Sequence, residues 1–191
     1  MMKITYYKLQ TKKNLNPPGW RYRILNCFYL VVIIAVISMI LAHLPVRASS
    51  SSVPDFSLEQ LDGSVYKLSD HMGKKILIID FWATWCKPCK KLLKKLNQIY
   101  LDYKQHVEVL AISIDDTSAV AKAGAYINGK GFSFTVLLDT DRKVVRIFNP
   151  PMKLPFTVII SKKGDVVHTH TGYIPGYEKE IIKKVEKLIN E

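Results

Sequence analysis

From residue 53 onward, short apolar runs alternate with stretches of helical spacing. Ile76 to Ile79 begins an apolar run that reaches about residue 82 with one polar interruption, Asp80, and it reads as a central strand buried on both faces. Apolar residues at 92, 93, 96, 99, 100 and 103 then predict a helix over about 87–104. Val107 to Ile114 is a second buried strand, and strand–helix–strand order implies a right-handed parallel crossover. A helix over about 117–128 follows. Asp115-Asp116-Thr117 suits its cap, although two acids at the end of a strand could also line a site. Gly129-Lys130-Gly131 ends that helix, Ser133 to Leu138 form a short strand, and residues 141–148 make one or two helical turns. Strands over 156–161 and 166–171 flank a turn at Lys162–Asp165 as an antiparallel hairpin. Pro175-Gly176 introduces a last helix, about 177–190, with Ile181, Ile182, Val185 and Leu188 on one side. At the other end, Asp55–Leu61, the Asp62-Gly63 turn and Ser64–Leu68 predict a hairpin that covers a sheet edge. The fold class is α/β, a central mixed sheet flanked by helices, with this hairpin as an N-terminal extension.

The first 52 residues follow a different pattern. Residues 1–23 carry Lys3, Lys8, Lys12, Lys13, Arg21 and Arg23 and no acidic residue, a basic leader. Residues 24–44 hold no charge except at His43, and a mostly apolar run of 21 residues is about the length that crosses a bilayer core of ~30 Å. Basic residues before the run place the N-terminus inside and the rest of the chain outside. This segment is expected to be a separate transmembrane helix. A cleaved signal is the alternative, since Val46-Arg47-Ala48 offers a cleavage site, but the apolar run is longer and the leader more extended than signal peptides usually have. Residues 45–52 are a Ser-rich linker, and 53–191 form one domain.

Charge adds little once the leader is set apart. The chain carries a net +12, but residues 1–48 hold 7 basic residues and no acid, which leaves +5 beyond them. That is ordinary for a small domain and gives nucleic-acid binding little support. Lys90, Lys91, Lys94 and Lys95 read as a solvated helix face, with a docking surface for acidic partners as the lesser reading.

Of three cysteines, Cys27 lies in the apolar run and the other two sit in Trp82-Ala83-Thr84-Trp85-Cys86-Lys87-Pro88-Cys89, where the central strand hands over to a helix. A helix N-terminus offers unpaired N–H groups and a partial positive charge, both of which stabilise a thiolate at Cys86. Pro88 needs no N–H in the first turn. Cys89 lies one turn along, in reach of a mixed disulfide on Cys86. The pattern therefore points to thiol–disulfide exchange and a redox-active disulfide Cys86–Cys89. A purely structural bridge is an alternative. A four-cysteine zinc site lacks its second pair, and covalent haem would need His where Lys90 stands. His168 and His170 share a strand face, but no third ligand accompanies them, and a packed pair is the simpler reading. No metal and no cofactor is expected.

The stretch Ile79-Asp80-Phe81-Trp82-Ala83-Thr84-Trp85-Cys86-Lys87-Pro88-Cys89-Lys90 resembles the active site of thioredoxins. Asp55-Phe56-Ser57-Leu58, Asp62-Gly63 and Leu68-Ser69-Asp70 are similar to the membrane-tethered TlpA/ResA group, itself related to AhpC/TSA (peroxiredoxin-like) domains. The resemblance covers about residues 53–190. It implies a thioredoxin-like fold and a cis proline facing the cysteines, for which Pro155 is the candidate. The backbone of Leu154 would then be free to pair with an extended substrate. The resemblance also implies that Asp80, buried on its strand, helps deprotonate Cys89; the alternative is an Asp that is exposed or paired with a lysine. Many membrane-tethered relatives lack this acid. Lys87 would tune the pair by stabilising the thiolate. Trp85 and Trp82 would pack beside the motif and shape the contact surface, with plain core packing as the alternative for Trp82.

Together these features point to an extracytoplasmic thiol–disulfide oxidoreductase on a bacterial cytoplasmic membrane. It would be a monomer that reduces disulfides of exported proteins, with cytochrome c maturation as one such role, and a membrane electron donor would restore it. A peroxiredoxin-like peroxidase is the first alternative, but the Thr and Pro expected three and seven residues before its cysteine are Ala83 and Ile79 here. The second is a redox-inert binding or chaperone module on the outer membrane face.

Overall fold

The computed structural model describes residues 29–30, 32–39 and 53–191. The basic leader and the linker lie outside the described residues, as does most of the 24–44 run. Within that run residues 29–30 and 32–39 are helical, with Leu30, Val32, Ile34 and Ile37 exposed. Among the described residues, no helix is long and apolar enough to cross a membrane.

Residues 53–191 belong to one compact unit. Its sheet has seven strands: β1 (Ser57–Gln60), β2 (Val65–Lys67), β3 (Ile76–Trp82), β4 (Val107–Ser113), β5 (Thr135–Leu138), β6 (Phe156–Ile160) and β7 (Val166–Thr171), in the order β2-β1-β5-β4-β3-β6-β7. β3, β4 and β5 run parallel, whereas β6 and β7 on one flank and β1 and β2 on the other are antiparallel to their neighbours. The mixed sheet predicted from the sequence is present. The hairpin joins the β5 edge directly, Glu59 pairing with Leu138 and Gln60 with Leu137, so it protects that edge by extending the sheet.

The helices are α1 (Lys87–Tyr103), α2 (Val120–Lys130), α3 (Lys143–Phe148) and α4 (Tyr177–Ile189). Helix α1 buries Leu92, Leu93, Leu96 and Ile99, the stripe expected from the spacing. Each such leucine contributes about 1.5–3 kcal/mol when withdrawn from water. Gly131 closes α2 at φ 62°, a left-handed cap suited to a residue without Cβ. Every residue of β3 is buried, and its one charged side chain, Asp80, is fully so.

Two sequence expectations shift in detail. The cap after β4 belongs to Asp116 alone, whose Oδ1 accepts from the Ser118 N–H at 3.0 Å and opens a 3-10 turn, Thr117–Ala119, ahead of α2. Asp115 points inward instead. Trp82 is core, with its ring 5.8 Å from that of Tyr126, whereas Trp85 is exposed.

Candidate active site

Strand β3 ends at Trp82, and Ala83-Thr84-Trp85 carry the chain to Cys86, the N-cap of α1. There the Cys86 Sγ accepts from the Cys89 N–H at 3.3 Å, so a sulfur occupies the place a capping oxygen usually takes. The two sulfurs are bonded to each other, with Cα atoms 5.3 Å apart. Cys89 is fully buried and Cys86 nearly so, 5% exposed, which leaves Cys86 as the sulfur an incoming group can reach. The helix N-terminus directed at Cys86 favours its thiolate once the bond is reduced. Lys87 and Pro88 are exposed on the first turn. A cation at Lys87 thus acts on Cys86 partly through solvent and is screened by salt.

The loop ahead of Cys86 is braced from β4. Asp115, 3% exposed, accepts from the Thr84 N–H at 2.8 Å and the Thr84 hydroxyl at 2.8 Å, and the Ser113 hydroxyl donates to it at 2.9 Å. Three donors on one buried carboxylate hold Thr84 two residues before the cysteine. Residue types alone gave this role no signal beyond the two adjacent acids, one of which the cap does not need.

Asp80 lies on β3, the strand that leads into the cysteine loop. Its carboxyl is wholly buried and receives one hydrogen bond, from the Thr157 hydroxyl at 2.9 Å, while its other oxygen has no partner. Burial pushes its pKa up to about 8, opposed only in part by the Thr157 bond. Among the described residues no lysine pairs with it, and a group of this acidity can take up a proton near neutral pH.

Pro155 is buried and follows a cis peptide bond from Leu154. It precedes β6, where Phe156 pairs with Phe81, so it sits at the end of the sheet where β3 runs into the cysteine loop. Leu154 is half-buried, and none of the backbone hydrogen bonds of the described residues uses its N–H or carbonyl. Exposed Trp85 belongs to the same end of the sheet. By contrast His168 and His170 lie on β7, the His170 ring stacked at 3.9 Å on Tyr177. Among the described residues no three His, Cys, Asp or Glu side chains form a metal-binding group.

Residues 50–169 match the AhpC/TSA family. The chain is 35% identical over 126 residues to the thiol-disulfide oxidoreductase ResA of Geobacillus kaustophilus, covering 65% of this chain and 70% of that protein. It is also 35% identical over 126 residues to ResA of Bacillus subtilis, covering 65% and 68%. This chain belongs to the AhpC/TSA family. Among solved structures, a thioredoxin-like protein from Porphyromonas gingivalis superposes with a TM-score of 0.63 at 35% identity, over 73% of this chain and 92% of that one. The exposed lipoprotein thioredoxin Etrx1 of Streptococcus pneumoniae does so with a TM-score of 0.56 at 27% identity, over 70% and 99%. The fold is thioredoxin-like, and within that superfamily the chain is of the TlpA/ResA type. It is a thiol-disulfide oxidoreductase, and its substrates are disulfide-containing.

Proposed function

We propose that the chain reduces disulfides of exported proteins on the outer side of a bacterial cytoplasmic membrane, held there by residues 24–44. The observation that carries the chemistry is a Cys86–Cys89 disulfide at the N-terminus of α1, with a buried, nearly unpartnered Asp80 on the strand that leads into it. In the reduced protein the Cys86 thiolate attacks a substrate disulfide, releases one substrate thiolate and forms a mixed disulfide. Cys89 passes its thiol proton to the Asp80 carboxylate, and the resulting thiolate attacks Cys86 Sγ. The second substrate thiolate leaves, and the Cys86–Cys89 bond seen here is restored. Two electrons have gone to the substrate, and a dithiol donor at the membrane must return them.

Leu154 contributes its open backbone and Pro155 its apolar ring to an extended substrate segment, and Trp85 adds an exposed aromatic face. Lys87 and Pro88 tune Cys86. The chain acts as a monomer in this reading. Cytochrome c maturation is included as one destination for the electrons, supported by the sequence resemblance to the TlpA/ResA group.

Two measurements test this. A membrane-impermeant thiol reagent should label Cys86 in intact cells after mild reduction; labelling only after lysis contradicts the location. The reduced chain should reduce insulin disulfides, with the rate lost in Cys86→Ser. Partner binding retained in a Cys86→Ser, Cys89→Ser protein, with no reduction by the wild type, would favour the redox-inert module.

A further inference from the structure

Asp80 is one end of a polar row that crosses the sheet. In the strand registers Asp80 pairs with Thr157, and Thr157 with His170, which puts all three side chains on one face. Over this row α4 begins with Tyr177, a residue 2% exposed whose ring lies on that of His170. Its hydroxyl is buried with no hydrogen-bond partner, as is the second carboxyl oxygen of Asp80. Two orphaned polar atoms so close to one threonine are unusual in a buried region, where polar groups are nearly always paired. The Tyr177 hydroxyl also stands near enough to feel both Thr157 and the Asp80 charge: burial and the negative charges of Asp80 and Glu180 raise its pKa well above that of a free phenol, opposed only in part by Thr157. Tyr177 therefore stays protonated and can only donate or accept a hydrogen bond.

We propose that Thr157 and Tyr177 are positioning residues for the reaction, two hydroxyls that turn toward Asp80 when it is ionised and away when it holds the Cys89 proton. A threonine hydroxyl has one hydrogen and two acceptor sites, so it can donate to the carboxylate while accepting from Tyr177. When Asp80 is protonated, its O–H donates to Thr157, and Thr157 donates to Tyr177. Neither hydroxyl changes its proton count, and no cation is required. The groups near this row are Ala111 of β4 and Thr157 of β6 beside Asp80, His168 and His170 of β7, and Glu180 and Lys184 of α4. Only burial and the Thr157 bond act on Asp80 itself.

The proposal rests on Asp80 as the proton acceptor, and the test separates the two. In the full chain labelled with [13C]aspartate, the Asp80 carboxyl signal is assigned by its loss in Asp80→Asn and titrated. Tyr177→Phe, which keeps the stacked ring but removes the hydroxyl that supports Thr157 as donor to Asp80, is expected to raise the Asp80 midpoint by up to about one pH unit. Thr157→Val raises it as well, and Thr157→Ser restores it. Tyr103→Phe, whose hydroxyl bonds Glu186 elsewhere, leaves it in place. The rate of mixed-disulfide resolution at pH 7 falls several-fold in Tyr177→Phe and recovers by about pH 9, a profile that loss of packing alone does not produce. An Asp80 midpoint unmoved by Tyr177→Phe overturns the proposal. So does a Thr157→Ser midpoint equal to that of Thr157→Val, and this pair decides the matter if Tyr177→Phe does not fold. A wild-type rate profile in Asp80→Asn would remove the acceptor role of Asp80 while the titration still reports on the two hydroxyls.

Discussion

Asp80→Asn replaces a buried acid by a neutral group of the same shape and should stabilise the fold in a pH-dependent way. The folded carboxyl titrates near 8 because burial penalises its charge, against about 3.9 in an unfolded chain. Between those values the folded state holds a proton that the unfolded state has lost, so stability falls as pH rises, and the loss is complete above the folded pKa. At about 1.4 kcal/mol per pH unit, Asp80 costs about 1.5 kcal/mol at pH 5 and about 4 kcal/mol at pH 7. Asparagine does not titrate. The stability gap between variant and wild type should therefore widen by about 2.5 kcal/mol from pH 5 to pH 7, whatever constant offset the amide itself introduces. Urea unfolding with the disulfide intact, followed by tryptophan fluorescence at both pH values, reads this gap. A gap that does not change with pH would refute the buried, protonated state of Asp80.

Other consequences follow from the same geometry. Cys89→Ser should trap a mixed disulfide between Cys86 and a substrate, visible as a reducible adduct on a non-reducing gel, while Cys86→Ser traps none, because Cys86 keeps a sliver of exposure and Cys89 has none. Asp115→Ala leaves the Thr84 N–H and two hydroxyls without their acceptor and should cost about 3 kcal/mol in urea unfolding, with Asp115→Asn costing less. Leu96→Ala, at a fully buried position of α1, should cost about 2–5 kcal/mol in the same assay without changing the reduction potential. Stopped-flow resolution of the mixed disulfide should accelerate as pH rises through about 8 in the wild type and lose that inflection in Asp80→Asn.

Much of this architecture was legible in the chain because hydrophobic period and punctuation agree there. The unbroken run at Ile76–Ile79 reads as a strand buried on both faces, and the stripe from Leu92 to Ile99 as one face of a helix. Asp80 stood out for the same reason, as the only charge in an apolar strand. Relations across strands were not legible. Nothing local shows that Thr157 falls opposite Asp80, that Tyr177 lies over both, or that Asp115 turns inward while Asp116 caps, since register and side-chain direction emerge only when the sheet assembles. Trp82 and Trp85 are alike in sequence, but one belongs to β3 and the other to the loop, and that difference alone separates a core residue from an exposed one.

The central claim is that the Cys86–Cys89 pair gives electrons to protein disulfides, and its reduction potential tests this most directly. The full chain is equilibrated in glutathione buffers of graded ratio, and its free thiols are trapped and counted. A potential below about −200 mV is expected, since a dithiol in that range can reduce ordinary protein disulfides when a membrane donor recharges it. A potential near about −120 mV would contradict the account, because the pair would then take electrons from its partners.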